Sequence, residues 1–178
     1  NNATSSEWYG QLDRRDEGLT GGTKWFDPAC DVSEWDTMDV PGYWARGKPG
    51  AVNGAVWFRR DFDVPAEMIG QKARLVLGCI VDSDTVYVNG TLVGTTGYRY
   101  PPRRYEVAPG VLKEGANTIV IRVVSCSGEG GFVEDKPYHL IAGGKTVDLS
   151  GAWRYRIGAV MEPLPAEVFV RWKPLGLY

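Results

Sequence analysis

Three loops of the chain place aromatic rings beside charged side chains. They are "PGYWARGKPGAVNGAVW", "TTGYRYPPRRY" and "CSGEGGFVEDKPY". Aromatic faces stack against the CH faces of sugar rings, and charged side chains hydrogen-bond sugar hydroxyls. We therefore predict sugar contacts from seven loop residues: Trp44, Arg46, Tyr98, Arg99, Arg103, Glu129 and Phe132. The alternative for each loop is an aromatic plug that seals one end of the fold.

Asp82 and Asp84, in the run "IVDSDT", form a second group of residues that could take part in binding or catalysis. Alternation within "VWFRRDFDVP" places Arg60 on the same face as Phe58 and Phe62. An unpaired buried charge is costly, so a buried arginine needs a carboxylate partner. We therefore predict a structural ion pair between Arg60 and Asp82 or Asp84. Ligand contact and calcium binding are the alternatives, although calcium takes six to eight oxygen ligands.

The sequence shows no catalytic constellation, and we predict that the chain is not an enzyme and binds no metal or cofactor. His139 is the single histidine, and no G-x-S-x-G nucleophile turn accompanies it. The "GGKT" run at 143–146 lacks the earlier glycine of a phosphate-binding loop, and "VDLSG" after it is strand-like. Histidines and cysteines with metal-ligand spacing are absent.

The composition limits the classes of binding partner that we expect for this chain. The 178 residues carry a net charge of -2, so no basic field attracts nucleic acid. No apolar run approaches the ~20 residues of a membrane-spanning helix. The three cysteines are widely spaced, which predicts no disulfide framework, although one Cys30–Cys126 bridge stays open. We predict neither nucleic-acid nor membrane partners.

Short apolar runs separated by Gly, Pro and Asn dominate from Trp35 onward. This spacing predicts an all-β antiparallel sandwich. The clearest strands are "VWFRRDFDVP", "ARLVLGCIV" and "GANTIVIRVVS". The run "TVYVNGTLVGTT" predicts a hairpin in which Asn89-Gly90 forms a type I′ turn. Such a sandwich would hold the three aromatic loops at its ends.

The chain divides into three predicted segments. Residues 1–26 form a helical lead-in, because Trp8 and Leu12 lie one helical turn apart and share a face. This apolar face is thin, so the helix needs a docking partner. Residues 27–160 form the β-sandwich, and the Pro-rich residues 161–178 form an exit segment.

Five runs in order are distinctive: "WFRRDFDVPAE", "IVDSDTVYVNG", "GANTIVIRV", "GEGGF" and "VDLSGAWRYRIG". With these runs the chain resembles the sugar-binding jelly roll of family 2 glycoside hydrolases. It looks closest to the β-sandwich domain of bacterial sialate O-acetylesterases, which is joined to an SGNH-type catalytic domain. The resemblance implies a galactose-binding-like jelly roll over about residues 25–178.

The resemblance also implies a function. The Gly-Asp-Ser and Asp-x-x-His blocks of SGNH esterases do not occur, and Asp135 precedes His139 by four residues instead of three. The chain would then be a non-catalytic accessory domain of a periplasmic or secreted carbohydrate esterase. Its partner would be the SGNH-type catalytic domain of the same full-length chain, towards which residues 161–178 would lead.

In family 2 β-galactosidases one sandwich loop reaches the active site of a neighbouring domain, and the matching loop here is Gly42–Ala55. This correspondence implies substrate contacts from Trp44 and Arg46 and adds Asn53 to the predicted set. Two other functions stay open: the sugar-binding domain of a family 2 glycoside hydrolase, and a free-standing lectin-like module.

Overall fold

The computed structural model describes residues 2–164. The helices and strands of this range are α1 (Asn2–Arg15), α2 (Glu17–Thr20), β1 (Asp36–Val40), β2 (Gly42–Tyr43), β3 (Gly54–Val64), β4 (Ala73–Leu77), β5 (Ile80–Val81), β6 (Ser83–Val88), β7 (Thr91–Thr96), β8 (Arg104–Val107), β9 (Gly115–Ser125), β10 (Gly131–Phe132), β11 (Tyr138–Ala142), β12 (Lys145–Asp148) and β13 (Gly151–Val160). Single 3-10 turns cover Trp44–Arg46 and Ala66–Met68. None of the helices within residues 2–164 is long and apolar enough to cross a membrane.

The strands form two main sheets and one small sheet. The larger sheet has the order β1-β13-β3-β9-β6-β7, and the second has the order β12-β11-β4-β8. Inward-facing residues of both sheets, such as Phe58, Leu75, Ile121 and Leu140, belong to one buried apolar cluster. The sheets therefore pack face to face, and the predicted antiparallel sandwich is confirmed. The small sheet, β2-β10-β5, takes strands β2 and β10 from two of the aromatic loops.

The β6–β7 hairpin matches its sequence signal. Asn89 and Gly90 have φ angles of 50° and 80°, as the two central residues of a type I′ turn require. Val86 and Val88 point into the core, while Leu92 beyond the turn is exposed. The hairpin is thus a structural corner of the larger sheet.

The run "ARLVLGCIV" forms two strands instead of the predicted single strand. The break falls at Gly78, which has a φ of 49°. A side chain at this position would place its Cβ 2.6 Å from the ring of Tyr138. The turn redirects the chain from the four-stranded sheet into the small sheet, where β5 pairs with β10.

The lead-in helix α1 docks on the outer face of the larger sheet. Trp8 and Leu12 are buried in a cluster that includes Ala55, Val124 and Ala159 of the sheet. The predicted shared face of Trp8 and Leu12 is confirmed, and the docking partner that this helix needs is the sandwich itself.

A buried carboxylate fixes the end of the lead-in. Asp16 accepts hydrogen bonds from the Trp57 indole at 2.9 Å and the Gly18 amide at 2.9 Å. Its second oxygen accepts the Nε–H of Arg122 at 2.7 Å. The sequence prediction missed Asp16, although its place before Glu17-Gly18 is typical of a helix N-cap.

Two further predictions concern the cysteines and the chain end. Cys30, Cys79 and Cys126 are free thiols, so the Cys30–Cys126 bridge does not form. Most of the predicted exit segment, at 165–178, lies outside the described residues.

Candidate functional site

A cleft of about 280 Å³ opens at one end of the sandwich, beside the small sheet. Its lining residues come from four separate segments of the chain: Tyr43, Ala45, Arg46, Val81, Arg99 and Glu129. Arg46, Arg99 and Glu129 were predicted as sugar contacts, and the fold brings them to one cleft. Tyr43, adjacent to the predicted Trp44, was not selected from the sequence.

Trp44 packs in the core beneath residues 43–46, which form the first wall of the cleft. Its side chain is fully buried, and its indole N–H donates to the Val52 carbonyl at 3.2 Å. Gly130 makes room for the ring, since a Cβ there would lie 2.1 Å from a Trp44 ring carbon. The rigid ring therefore sets the 3-10 turn that carries Arg46 to the surface.

Arg46 is held over an aromatic face. Its guanidinium lies 4.9 Å from the centre of the Tyr43 ring, a cation–π distance. Its Nη1 also lies 3.1 Å from Oε1 of Glu134, with both side chains more than half exposed. Such an exposed pair adds little to stability, and both side chains remain accessible to a ligand.

Arg99 forms the opposite wall and is oriented by Asp82. The two side chains meet at 2.6 Å, with exposed fractions of 40% for Arg99 and 14% for Asp82. The other Asp82 oxygen accepts hydrogen bonds from Ser125 Oγ at 3.0 Å and the Cys126 amide at 3.1 Å. Burial, and then the nearby Asp82 charge, raise the pKa of the Cys126 thiol. Asp82 is thus a positioning group beneath the cleft.

Three of the predicted contacts are core residues instead, and here the sequence prediction was wrong. Trp44, Arg103 and Phe132 have no exposed surface. Phe132 packs edge-to-face on Phe58 at 5.0 Å. A sugar cannot stack on a ring that has no exposed face, so Trp44 and Phe132 act as aromatic plugs.

Arg103 is the buried arginine of this fold. Its Nε lies 2.6 Å from an Asp84 oxygen, and both side chains are 0% exposed. Its remaining donors reach the carbonyls of Pro101 at 2.7 Å and Ile80 at 2.9 Å, and Tyr105 donates to the second Asp84 oxygen at 2.6 Å. Burial raises the pKa of Asp84, while the hydrogen bonds from Tyr105 and Arg103 act against that rise.

The predicted ion pair of Arg60 with Asp82 or Asp84 is wrong. Arg60 is only half-buried, and its Nη1 donates to the Ala152 carbonyl at 3.4 Å. Gly151 on the neighbouring strand has no side chain to cover the guanidinium, which passes 3.0 Å from the position of a Cβ there. The charge therefore reaches the surface instead of the core, as long basic side chains often do.

Two predicted contacts lie outside the cleft lining. Tyr98 precedes Arg99 and is 61% exposed, so its ring is available for stacking. Asn53 is half-buried, and its Oδ1 has no hydrogen-bond partner among residues 2–164. Gly128 lies next to this oxygen, at 3.8 Å from an ideal Cβ to Oδ1.

His139 lies far from catalytic geometry. It is half-buried on β11 and stands opposite Asp148 of β12. Asp148 hydrogen-bonds Ser150 directly at 2.7 Å, so the imidazole does not lie between serine and carboxylate. Among residues 2–164 no three His, Cys, Asp or Glu side chains are grouped to hold a metal ion.

A larger cavity of about 680 Å³ lies between the Met68–Ala73 segment and the Glu106–Leu112 segment. Its lining is mainly apolar, and no aromatic side chain belongs to it. It lacks the pairing of ring and charge that the smaller cleft offers. The smaller cleft is therefore the candidate site.

Comparisons with known proteins agree with the β-sandwich fold. Residues 3–155 match the family described as glycosyl hydrolases family 2, sugar binding domain, and the chain belongs to that family. No curated protein matches the chain.

Several solved β-glucuronidases contain a domain with the same fold. The enzyme of Bifidobacterium dentium, complexed with coumarin-3-O-glucuronide, is 25% identical with a TM-score of 0.50, over 56% of this chain and 16% of that chain. An enzyme of Ruminococcus gnavus, in complex with uronic deoxynojirimycin, is 17% identical with a TM-score of 0.53, over 82% and 27%. β-Glucuronidase 2 of Bacteroides uniformis is 19% identical with a TM-score of 0.54, over 74% and 16%. This chain therefore spans about a quarter or less of the proteins that it resembles.

Proposed function

We propose that this chain is the non-catalytic sugar-binding domain of a longer family 2 glycoside hydrolase. The observation that carries the proposal is the family match over residues 3–155, together with the cleft that gathers Tyr43, Arg46, Arg99 and Glu129. The similar solved proteins are several times longer than this chain, which supports a role as one domain among several.

The sialate O-acetylesterase parent implied by the sequence resemblance has no support in these comparisons. The family 2 alternative has support from both the family match and the similar folds. An SGNH-type catalytic partner and a periplasmic or secreted location stay predictions of that resemblance.

The cleft suits a sugar whose hydroxyls contact both signs of charge. Arg46 and Arg99 supply donors, and Glu129 supplies acceptors. The Tyr43 ring supplies an apolar wall, although Arg46 covers part of it. In the full-length protein the cleft would hold part of the substrate beside the catalytic domain, or would support the loop that does so.

Isothermal titration calorimetry of the chain tests the proposal. The sugars are a β-glucuronide, galactose, sialic acid and a xylo-oligosaccharide. A cleft with few contacts predicts a Kd of about 1 mM, or about -4 kcal/mol, for at least one of them. We expect Arg99→Gln to abolish the heat of binding.

The matched control is Arg74→Gln. Arg74 is about as exposed as Arg99, at 46% against 40%, and it forms an ion pair with Glu106 at 2.7 Å in the four-stranded sheet. Equal loss of binding in both variants, or no heat with any sugar at about 10 mM, would contradict the proposed site. Hydrolysis of an aryl glucuronide or acetyl ester that disappears in His139→Ala would contradict the non-catalytic role.

A further inference from the structure

A second cleft, of about 400 Å³, is lined by residues of the paired strands β3 and β13 together with Val32, and it shares no residue with the candidate sugar site. Its lining contains three arginines and one acidic residue: Val32, Arg59, Arg60, Asp61, Gly151, Ala152 and Arg154. The sequence had placed Arg60 in an ion pair that the structure does not contain. The charge of this cleft is therefore not explained by the proposed function.

The strand register brings two of these charges together. Arg59 on β3 stands directly opposite Arg154 on β13. Like charges in this arrangement repel each other and destabilise a sheet. Asp61 offsets one charge, since its Oδ1 lies 3.5 Å from the Nε of Arg59, but the same oxygen also accepts the Thr118 hydroxyl at 2.8 Å. The cleft retains an excess of positive charge.

Arg59 supplies the fixed charge at the floor of the cleft. Its side chain is 11% exposed, and its two terminal nitrogens donate to the carbonyls of Cys30 at 2.9 Å and Pro28 at 3.2 Å. Its Nε is buried and makes no hydrogen bond with any residue in the range 2–164. These backbone contacts neutralise no charge, so the guanidinium remains a source of positive potential.

Arg154 supplies the accessible donors on the face that it shares with Arg59, and Arg60 lines the cleft from the other side of β3. Arg154 is exposed and uses only Nη1, which donates to the carbonyls of Val32 at 3.2 Å and Trp35 at 3.4 Å. Arg60 likewise uses only Nη1, in its 3.4 Å contact with Ala152. Within residues 2–164 the Nε and Nη2 groups of both arginines make no hydrogen bond. Arg154 thus presents one free planar guanidinium edge beside the charge of Arg59, with which it shares a face of the sheet.

Asp148, an acidic residue outside the cleft lining, already accepts hydrogen bonds from Ser150. Hydrogen bonds from Ser150 lower the pKa of Asp148, and the Arg60 charge adds a smaller contribution in the same direction. The Arg60 charge therefore affects the pKa of Asp148, although the two side chains form no ion pair. A further anion would find the guanidinium unpaired.

We propose that this cleft binds the carboxylate of a small ligand. A guanidinium edge matches a carboxylate in a two-pronged hydrogen bond, which favours this anion over a hydroxyl group. The volume of about 400 Å³ lies within the range of small-molecule sites. Binding relieves the repulsion between Arg59 and Arg154, and so it stabilises the sheet.

Nitrogen-15 NMR titration of the chain at constant ionic strength tests the inference, with glucuronate, acetate and glucose as probes. We expect both carboxylates to shift the amide signals of Arg59, Ala152 and Arg154, while neutral glucose leaves them in place. Arg154→Gln should weaken glucuronate binding about tenfold, because it removes a charged hydrogen bond. Arg154→Lys should weaken it less, since the charge remains.

The matched control is Arg104→Gln, which removes an exposed arginine from β8 in the other sheet. We expect it to leave the affinity unchanged. Absence of shifts at about 50 mM carboxylate, equal shifts with glucose, or equal weakening in Arg104→Gln would overturn the inference. Shifts at Tyr43, Arg46 and Glu129 report the sugar site separately, so each proposal can fail without the other.

Discussion

Two arginine–aspartate pairs lie close together in this domain and serve different ends. Arg103 with Asp84 and Arg99 with Asp82 both meet at 2.6 Å. The first pair is 0% exposed on both sides, whereas Arg99 is 40% exposed and Asp82 14%. The two pairs therefore differ in role although their contact distances are equal. The buried pair stabilises the fold, whereas the partly exposed second pair can contact a ligand.

The largest expected effect comes from breaking the buried pair. Arg103→Met leaves Asp84 buried without its cation, which we expect to lower the free energy of unfolding by about 3–5 kcal/mol. Urea unfolding measures the change. If the single variant does not fold, the double variant Arg103→Met with Asp84→Leu should recover part of the loss, because no buried charge remains. A loss below about 1 kcal/mol in the single variant would mean that the pair is not buried.

The third member of the buried network should have the next largest effect. Tyr105→Phe removes a 2.6 Å hydrogen bond to the Asp84 carboxylate. Hydrogen bonds to charged groups contribute about 1.5–3 kcal/mol, and we expect a loss in that range from chemical unfolding. A variant as stable as the parent would show that Arg103 alone satisfies Asp84.

Tyr105 also predicts how stability changes at alkaline pH. Burial, and then the Asp84 charge, raise its pKa above the ordinary value of 10.0. A raised pKa in the folded state means that the stabilising contribution is complete below pH 10.0 and is lost as the pH rises further. We expect the free energy of unfolding to fall less steeply above pH 10.0 in Tyr105→Phe than in the parent. Parallel curves of unfolding free energy against pH for the parent and Tyr105→Phe would contradict this origin of the pH dependence.

A smaller effect on stability is expected from the exposed pair. Arg99→Gln should change the free energy of unfolding by about 0–1 kcal/mol, because Arg99 is 40% exposed and Asp82 keeps its hydrogen bonds from Ser125 and the Cys126 amide. The same variant should abolish sugar binding, so stability and binding separate in one protein. A loss as large as that of Arg103→Met would show that the two pairs do not differ in role.

The smallest effect is expected at Arg60. Its half-exposed side chain makes one long contact, so Arg60→Leu should alter the free energy of unfolding by about 0.5 kcal/mol or less. Thermal unfolding followed by circular dichroism gives the comparison. A drop of several degrees in Tm would restore a structural role for this arginine.

Much of the fold was predictable because it depends on local signals. Asn89-Gly90 specifies its turn through two positive φ angles, and the alternation of Val86 and Val88 specifies the buried face. The break in "ARLVLGCIV" was less predictable, since Gly78 turns the chain partly to make room for Tyr138, sixty residues away along the sequence.

The site was only partly predictable, because it depends on long-range neighbours. Arg60 has the sequence position of a buried residue, and only Gly151 on the adjacent strand shows how its charge reaches the surface. Trp44 belongs to the correct loop, but the space left by Gly130 draws its ring into the core. Residue types identified Arg46, Arg99 and Glu129, while their meeting in one cleft required the three-dimensional fold.

The most direct test of the central claim is to map bound sugar on this chain by nitrogen-15 NMR. We predict that a sugar which gives heat in calorimetry shifts the amide signals of Tyr43, Arg46, Arg99 and Glu129. Arg99→Gln should remove these shifts, and Arg74→Gln should retain them. Shifts confined to other surfaces, or unchanged shifts in Arg99→Gln, would contradict the assignment of this cleft as the sugar site.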